Sequence, residues 1–212
     1  MSQSIQIKVC GMRDSDNIKA VAALGPDYLG FIFYGKSPRF VEGIIDVELL
    51  NQLPNIITKT GVFVNAEFSY IKSCVNKYGL DAVQLHGNES PEFCASIQSL
   101  GLETIKAFQV SEEFDFSILD PYALCTDYFL FDTKTKTYGG SGHKFNWELL
   151  KQYNNQKPLF LSGGIDVDDA SDILKLKDVN IHAVDINSRF EIEPALKSVE
   201  KVKQFIQKIK NQ

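Results

Sequence analysis

Short apolar runs alternate along the chain with stretches in which apolar residues recur every three or four positions. The short runs are rich in β-branched and aromatic residues, which is typical of buried strands. They predict eight strands, at residues 5–10, 27–33, 58–64, 82–85, 104–108, 128–131, 158–161 and 182–186. No linker or low-complexity segment interrupts the alternation, so the pattern predicts one domain over residues 1–212.

Helical periodicity fills most of the intervals between the predicted strands. It is clear at residues 16–24, 66–78, 91–100, 147–153 and 167–176, and again from about 193 to 210. Typical helix starts precede three of these segments: Asp14 or Ser15, the pair Ser90-Pro91, and Asp166. The segment 112–125 has the weakest helical pattern and is expected to be the least regular.

The regular alternation of strand and helix predicts an α/β fold with a parallel sheet. Eight such units in a chain of this length favour a single (β/α)8 TIM barrel near its minimum size. The alternative is a doubly wound open sheet, which would normally carry GxGxxG after its first strand. The first strand is followed instead by CGMR at residues 10–13, so the barrel is preferred.

Composition and charge narrow the class of protein further. The chain of 212 residues is 44% hydrophobic, as a globular protein is, and its net charge of -5 argues against non-specific nucleic-acid binding. No apolar run is long enough to span a membrane, and the N-terminus does not resemble a signal peptide. The four cysteines are widely spaced and form no CxxC motif. We therefore expect a cytoplasmic protein with reduced thiols, no metal and no organic cofactor.

Most of the reactive side chains fall where a predicted strand ends. In a TIM barrel these C-terminal ends form the rim that carries the active site. The residues concerned are Cys10, Lys36-Ser37-Pro38-Arg39, Gln84-Leu85-His86-Gly87, Asp132, Ser162-Gly163-Gly164 and Asp185-Ile186-Asn187-Ser188. The sequence therefore predicts an active site at this rim.

Two groups at the rim could move protons, although each also has a structural interpretation. Cys10 could be a small buried hydrophobe, but its position at a strand end favours a functional thiol. Lys8 lies on the same face as Cys10 and could favour a thiolate; as an inward lysine it needs a partner, which Asp185 could be. Asp132 directly follows a buried run, which favours a functional carboxylate over a loop cap. His86 is equally well a rim histidine without a chemical role.

The glycines indicate a phosphate site. Ser162-Gly163-Gly164 leads into a predicted helix, and backbone N–H groups at such a turn can bind an anion. Asn187 and Ser188 follow the eighth strand, and TIM barrels often bind phosphate at the loops after strands seven and eight. Gly139, Gly140 and Gly142 could complete this site or allow the loop to close as a lid.

Arg39 could form a second anion site, because a guanidinium binds a carboxylate through two parallel hydrogen bonds. The alternative is an ordinary solvated arginine. Together these features predict a small substrate that carries a phosphate and a carboxylate, with one acid and one thiol between them. Such groups suit proton transfer and not hydride transfer or metal-dependent hydrolysis.

The chain resembles the phosphoribosylanthranilate isomerase family of tryptophan biosynthesis over nearly its whole length. The matching segments occur in the family's order: KVCGM at 8–12, GFIFYGKSPRFV at 30–41, GVFVN at 61–65, QLHG at 84–87, FDTKTKTYGGSGHKFNW at 131–147, LSGGI at 161–165 and VDINS at 184–188. The resemblance implies an Amadori rearrangement of N-(5-phosphoribosyl)anthranilate, with Asp132 as the general acid and Cys10 as the general base. It also implies that Arg39 binds the anthranilate carboxylate. The implied phosphate site comprises Gly140, Gly142, Gly163, Gly164, Asn187 and Ser188, with Lys8, His86 and Asp185 in supporting positions.

One position departs from the common family pattern. Arg189 stands where a glycine usually follows Asn-Ser, and arginine would be strained if the backbone there needed a positive φ. Glu191 and Glu193 are close in sequence and could hold Arg189 towards solvent. We expect Arg189 to lie at the edge of the phosphate site and to assist by long-range attraction only.

Two other functions remain as alternatives. Indole-3-glycerol-phosphate synthase is a related barrel, but it typically has an additional segment before its first strand, for which we expect no room here. A non-catalytic barrel that binds a sugar phosphate would need neither Cys10 nor Asp132. The sequence leaves open whether the protein is a monomer or a homodimer, and whether it also accepts the related aminoaldose of histidine biosynthesis.

Overall fold

A computed structural model describes residues 4–133, 146–154 and 157–210. Eight parallel strands form a closed barrel in which each strand pairs with its neighbours in chain order and the last pairs with the first. The strands are β1 (Gln6–Cys10), β2 (Tyr28–Ile32), β3 (Thr58–Phe63), β4 (Ala82–Leu85), β5 (Glu103–Val110), β6 (Tyr128–Thr133), β7 (Leu159–Leu161) and β8 (Ile181–Ile186). This architecture confirms the predicted TIM barrel.

Six α-helices accompany the strands in the described residues. They are α1 (Ser15–Ala22), α2 (Val47–Gln52), α3 (Phe68–Tyr78), α4 (Pro91–Gln98), α5 (Ala170–Ile173) and α6 (Val199–Lys210). The predicted start signals are confirmed, because the side chains of Asp14, Ser90 and Asp166 each accept a hydrogen bond from a backbone N–H in the turn that follows. No helix of the described chain combines the length and the apolar character needed to cross a membrane.

Several helical segments differ from the sequence prediction. Residues 147–152 and 167–169 are 3-10 helices, and only the short α5 continues the second of them. The segment 112–125, which was expected to be the least regular, contains a 3-10 helix, Phe116–Tyr122, with Pro121 inside it. The helix α2 was not predicted, because its six residues are too few for a clear period.

The prediction of one helix from about 193 to 210 is wrong at its start. Two short antiparallel strands, β9 (Glu191–Glu193) and β10 (Leu196–Lys197), precede α6. Pro194 disfavours a helical conformation at the residue before it, and Ala195 has a φ of 72°, so the chain turns back here instead of entering the helix. This hairpin brings two charged side chains to the barrel rim, as described below.

The strand alternation divides the barrel interior into an apolar layer and a polar layer. The apolar cluster inside the barrel comprises Tyr28, Ile105, Ala107, Leu130, Phe160 and Ala183. Side chains two positions further along a strand face the same way, so Asp132 follows Leu130 and Asp185 follows Ala183 on the inner face. The polar layer therefore lies above the apolar one, at the C-terminal ends of the strands.

Candidate active site

A cavity opens at the C-terminal ends of the barrel strands, where the sequence predicts the active site. The predicted site residues that line it are Cys10, His86, Asp132, Gly163, Gly164, Asp185, Asn187 and Ser188. Lys8 is fully buried below the cavity, and Gly140 and Gly142 lie outside the described residues. Among the described residues, no group of three or more His, Cys, Asp and Glu side chains could hold a metal ion.

Lys8 joins three strands beneath the cavity. Its Nζ donates to Asp185 Oδ2 at 3.0 Å, across the β1–β8 pair that closes the barrel, and to Gln84 Oε1 of β4 at 2.8 Å. Burial alone would lower the pKa of Lys8, but Asp185 and the nearby Cys10 outweigh it and raise the pKa above the ordinary value. Lys8 is therefore an ammonium group at neutral pH, and Asp185 is its ion-pair partner.

The thiol of Cys10 is buried at the end of β1 and faces the cavity. It packs against Gly30 of β2, where a side-chain Cβ would lie 2.8 Å from the sulfur atom, so only glycine leaves room for it. Burial raises the pKa of the thiol, and the charges of Lys8 and Lys197 lower it by less than burial raises it. Lys8 thus lowers the pKa of the Cys10 thiol, as expected, but burial has the larger effect. The thiol and not the thiolate is therefore the resting form at neutral pH.

Asp132 is the penultimate residue of β6, and its two carboxylate oxygens have different surroundings. Oδ1 accepts a hydrogen bond of 2.8 Å from the N–H of Thr133, while Oδ2 lies 3.4 Å from Nε2 of His86. The loop after β7 passes close by: a Cβ on Gly163 would lie 2.3 Å from Oγ1 of Thr133, and the φ of Gly163 is +96°. Both the close contact with Thr133 and the positive φ require glycine at position 163. This glycine allows the loop to pack beside Asp132, the candidate acid.

Arg39 does not line the cavity but belongs to a buried charged cluster beside it. Its Nε and Nη2 donate to the two carboxylate oxygens of Glu191 at 2.8 Å and 2.6 Å. Lys197 donates to Glu191 Oε1 at 2.6 Å and to Asn187 Oδ1 at 2.8 Å. Burial would raise the pKa of Glu191, but hydrogen bonds and charges from Arg39 and Lys197 hold it below the ordinary value. Two basic side chains thus share one carboxylate, and burial holds the pKa of Lys197 below its ordinary value despite the nearby Glu191.

Glu191 and Lys197 were missed as site residues in the sequence. Glu191 was expected to hold Arg189 towards solvent, whereas its carboxylate binds Arg39 and Lys197. Both residues belong to the β9–β10 hairpin, which the sequence prediction assigned partly to a helix. The signal that could have revealed them is Pro194, which disfavours a helix at the preceding residue and indicates the turn of the hairpin.

Arg189 lies in a 3-10 turn, Ser188–Phe190, at the edge of the cavity, and is exposed. Its carbonyl accepts a hydrogen bond of 3.0 Å from Lys201. In the described part of the chain only Asn65 and Ala195 have a positive φ without being glycine. The arginine is therefore accommodated here without the backbone strain considered above.

The loops after β7 and β8 meet on one side of the cavity. Gly163 and Gly164 both have positive φ, +96° and +63°. Within the residues that the structure describes, neither of their N–H groups donates a hydrogen bond. Asn187 and Ser188 line the same cavity, and Lys197 binds the amide oxygen of Asn187 so that its NH2 group remains as a donor. This arrangement can bind an anion.

A closed parallel barrel whose reactive side chains surround one cavity at the C-terminal rim is typical of TIM-barrel enzymes, and here these side chains include a thiol, a carboxylate and a histidine. A family model described as N-(5'phosphoribosyl)anthranilate (PRA) isomerase matches residues 7–208. The N-(5'-phosphoribosyl)anthranilate isomerase of Parabacteroides distasonis is 45% identical over 204 residues, which are 96% of this chain and 92% of that protein.

Solved structures show the same relationship. The phosphoribosyl anthranilate isomerase from Thermotoga maritima has a TM-score of 0.88 and 34% identity, over 98% of this chain and 100% of that one. A phosphoribosyl anthranilate isomerase in complex with reduced 1-(o-carboxyphenylamino)-1-deoxyribulose 5-phosphate has a TM-score of 0.85 and 31% identity, over 98% and 100%. The chain therefore belongs to the phosphoribosylanthranilate isomerase family, an enzyme family of tryptophan biosynthesis, as the sequence resemblance predicted.

Proposed function

We propose that the protein catalyses the Amadori rearrangement of N-(5-phosphoribosyl)anthranilate to 1-(2-carboxyphenylamino)-1-deoxy-D-ribulose 5-phosphate by general acid–base catalysis. The observation that carries this proposal is that Cys10 of β1 and Asp132 of β6 face one cavity. A carboxylic acid and a thiol at one substrate are the equipment for moving protons. The reaction is an isomerisation, so it needs no oxidant, reductant or second substrate.

The two groups act on neighbouring atoms of the sugar. Asp132 gives a proton to the furanose ring oxygen while the bond from that oxygen to C1′ breaks, which opens the ring to a Schiff base. Cys10, as the thiolate, then takes the proton from C2′, and the electron pair left behind forms an enolamine. The enolamine tautomerises to the ketone as its C2′ hydroxyl loses a proton and C1′ gains one. Cys10 releases the proton that it took from C2′ and Asp132 regains one by exchange with solvent, so no proton is gained or lost overall. Because water could hydrolyse the Schiff base, the cavity must also limit its access.

The phosphate is proposed to bind where the loops after β7 and β8 meet. Gly163 and Gly164 offer two N–H groups, and Asn187 offers its NH2 group because Lys197 binds the amide oxygen. Ser188 adds a hydroxyl, and Gly140 and Gly142 remain predicted ligands from outside the described residues. A relative with 31% identity has been solved with a ligand that contains a phosphate, which supports a phosphorylated substrate here.

Arg39 is proposed to bind the anthranilate carboxylate. Glu191 occupies only Nε and Nη2 of its guanidinium, so Nη1 is not used in that ion pair. The cluster of Arg39, Lys197 and Glu191 holds two basic side chains and one carboxylate and is largely buried. A second carboxylate, supplied by the substrate, would provide a partner for the second basic group and favour the charged form of Lys197, whose pKa burial lowers.

The loss of anthranilate fluorescence tests the proposed function directly. Freshly prepared phosphoribosylanthranilate should lose its fluorescence faster with the protein than without it, and the phosphorylated ketose should accumulate in equal amount. Release of free anthranilate would indicate hydrolysis instead. A protein that binds the substrate without accelerating ketose formation would contradict the proposal and favour a non-catalytic barrel.

Replacing Arg39 with alanine is expected to raise KM more than it changes kcat. A hydrogen bond to a charged group contributes about 1.5–3 kcal/mol, so KM should rise roughly 10- to 150-fold. The anthranilate carboxylate is remote from the reacting sugar carbons, which is why kcat should change less. Steady-state kinetics would measure both constants, and Arg39→Lys serves as the control that keeps the charge without the fork-shaped donor. An unchanged KM for Arg39→Ala would place the carboxylate elsewhere.

Replacing Arg189 with glycine is expected to raise KM modestly and to leave kcat near the wild-type value. Arg189 lies exposed at the cavity edge, so its charge should attract the substrate through solvent, where salt screens it. The difference in KM between the variant and the wild type should therefore shrink as ionic strength rises. A loss of binding by orders of magnitude that persists at high salt would identify Arg189 as a direct phosphate ligand.

A further inference from the structure

A glutamine that the proposed mechanism does not use lies between Lys8 and His86. Gln84 is the penultimate residue of β4, and its side chain is buried, 1% exposed, on the inner face of the barrel. Its Oε1 accepts a hydrogen bond of 2.8 Å from Lys8 Nζ, and its Nε2 lies 2.8 Å from Nδ1 of His86. The chain of contacts continues from Nε2 of His86 to Asp132 Oδ2, at 3.4 Å.

The chemistry of these groups fixes which atom donates in each of the two hydrogen bonds of Gln84, the one with Lys8 and the one with His86. An ammonium group can only donate, so the amide oxygen of Gln84 must face Lys8 and its NH2 group must face His86. Nδ1 of His86 must then accept, which means that it carries no proton. The proton of the imidazole ring is therefore on Nε2, the nitrogen that faces Asp132.

We propose that Gln84 is a positioning residue that holds His86 as the Nε2–H tautomer, so that this N–H supports Asp132 when the acid gives up its proton. The tautomer follows from the contacts alone. The effect on catalysis rests on the proposed function, in which Asp132 is the general acid.

The position of Asp132 explains why the tautomer of His86 matters for proton transfer. Oδ1 already accepts the N–H of Thr133, so Oδ2 is the oxygen left to carry the acidic proton. Nε2 of His86 is buried and, within the described residues, has no well-aligned hydrogen-bond partner. When Oδ2 loses its proton and becomes negative, the His86 N–H can close the 3.4 Å gap and stabilise the carboxylate. An interaction that strengthens only as charge develops lowers the barrier and contributes little to substrate binding.

The tautomer can be measured by ¹⁵N NMR of the imidazole nitrogens at neutral pH. The chain contains three histidines, so a His86→Asn variant assigns the His86 signals. For the wild-type protein we expect a protonated Nε2 and an unprotonated Nδ1. In Gln84→Glu the amide NH2 is replaced by an oxygen that can only accept, so a proton should appear on Nδ1.

The kinetic consequence should be confined to the chemical step. Gln84→Glu is expected to lower kcat by about 10- to 100-fold, less than the loss of a direct oxyanion donor, with little change in KM. Gln207→Glu on the exposed face of α6 makes the same chemical change away from the cavity and should leave both constants unaltered.

A wild-type spectrum with the proton on Nδ1 would overturn the proposal, whether or not any variant folds. A Gln84→Glu protein with the altered tautomer and an unchanged kcat would overturn the link to catalysis. If the wild-type protein made no ketose, the proposed function would fail, while the spectrum would still decide whether Gln84 sets the tautomer.

Discussion

Replacing Asp132 with asparagine is expected to lower kcat by about 10²- to 10⁴-fold, which is the usual contribution of a general acid. Asparagine matches the size of aspartate, and its amide oxygen can still accept the N–H of Thr133. It has no acidic proton to give to the ring oxygen, so ring opening should become slow. Steady-state kinetics with phosphoribosylanthranilate should show this loss in kcat with a much smaller change in KM.

The matched control for this variant is Asp172→Asn. Asp172 is exposed and is not among the residues that line the cavity, and its carboxylate forms a surface ion pair with Lys175, three residues later in the chain. The control should retain the wild-type kcat, because exposed pairs contribute little. Near wild-type turnover by Asp132→Asn, under conditions in which chemistry limits the rate, would show that another group opens the ring.

Replacing Cys10 with serine is also expected to lower kcat by about 10²- to 10⁴-fold. A serine hydroxyl loses its proton far less readily than a thiol, so the variant has almost no base for the C2′ proton. The wild-type protein should show a related pH dependence. Because burial raises the pKa of Cys10, only a small fraction is thiolate at neutral pH, and kcat/KM should rise with pH towards that raised pKa.

The slope of this pH profile distinguishes the thiol from other bases. Cys10→Ser should lose the rise in kcat/KM over the same pH range. Cys125→Ser is the control, because Cys125 is also buried and its S–H donates to backbone carbonyl oxygens to which a hydroxyl could donate equally well. If Cys10→Ser kept the wild-type pH profile, the group that titrates would not be Cys10.

The barrel and the position of its chemistry follow from local sequence patterns. Each strand is a short apolar run in which successive side chains point to opposite faces of the sheet. The polar side chains of the site appear on the inward face, near the C-terminal end of the run. Asp132 after Leu130, and Cys10 after Lys8, are visible in this way because only neighbouring residues are involved. The helix starts at Asp14, Ser90 and Asp166 were predicted from another local signal, a capping residue just before a helical period.

The partners of these residues depend on contacts between distant parts of the chain. Arg39 binds Glu191 across 152 positions of sequence, and no local pattern connects them. The role of Gln84 likewise depends on Lys8, which is 76 positions away and fixes the direction of the amide. The pKa of Cys10 is set by the competition between burial and two lysines, and a sequence shows only the charges and not the burial. Sequence patterns therefore indicated the candidate reactive groups and the Lys8–Asp185 pair, but not Glu191, Lys197 or the role of Gln84.

The ion pair between Lys8 and Asp185 has a consequence for how the protein is made. The two residues are separated by 177 positions, so almost the whole polypeptide must leave the ribosome before the lysine meets its partner. Burying Lys8 without its partner would cost about 3–5 kcal/mol, so a nascent chain without β8 cannot form the same interior stably. We expect the first strands to associate without a stable interior and the barrel to close as a late, cooperative event. Nascent chains that end before β8 should therefore depend on chaperones more than the complete protein does.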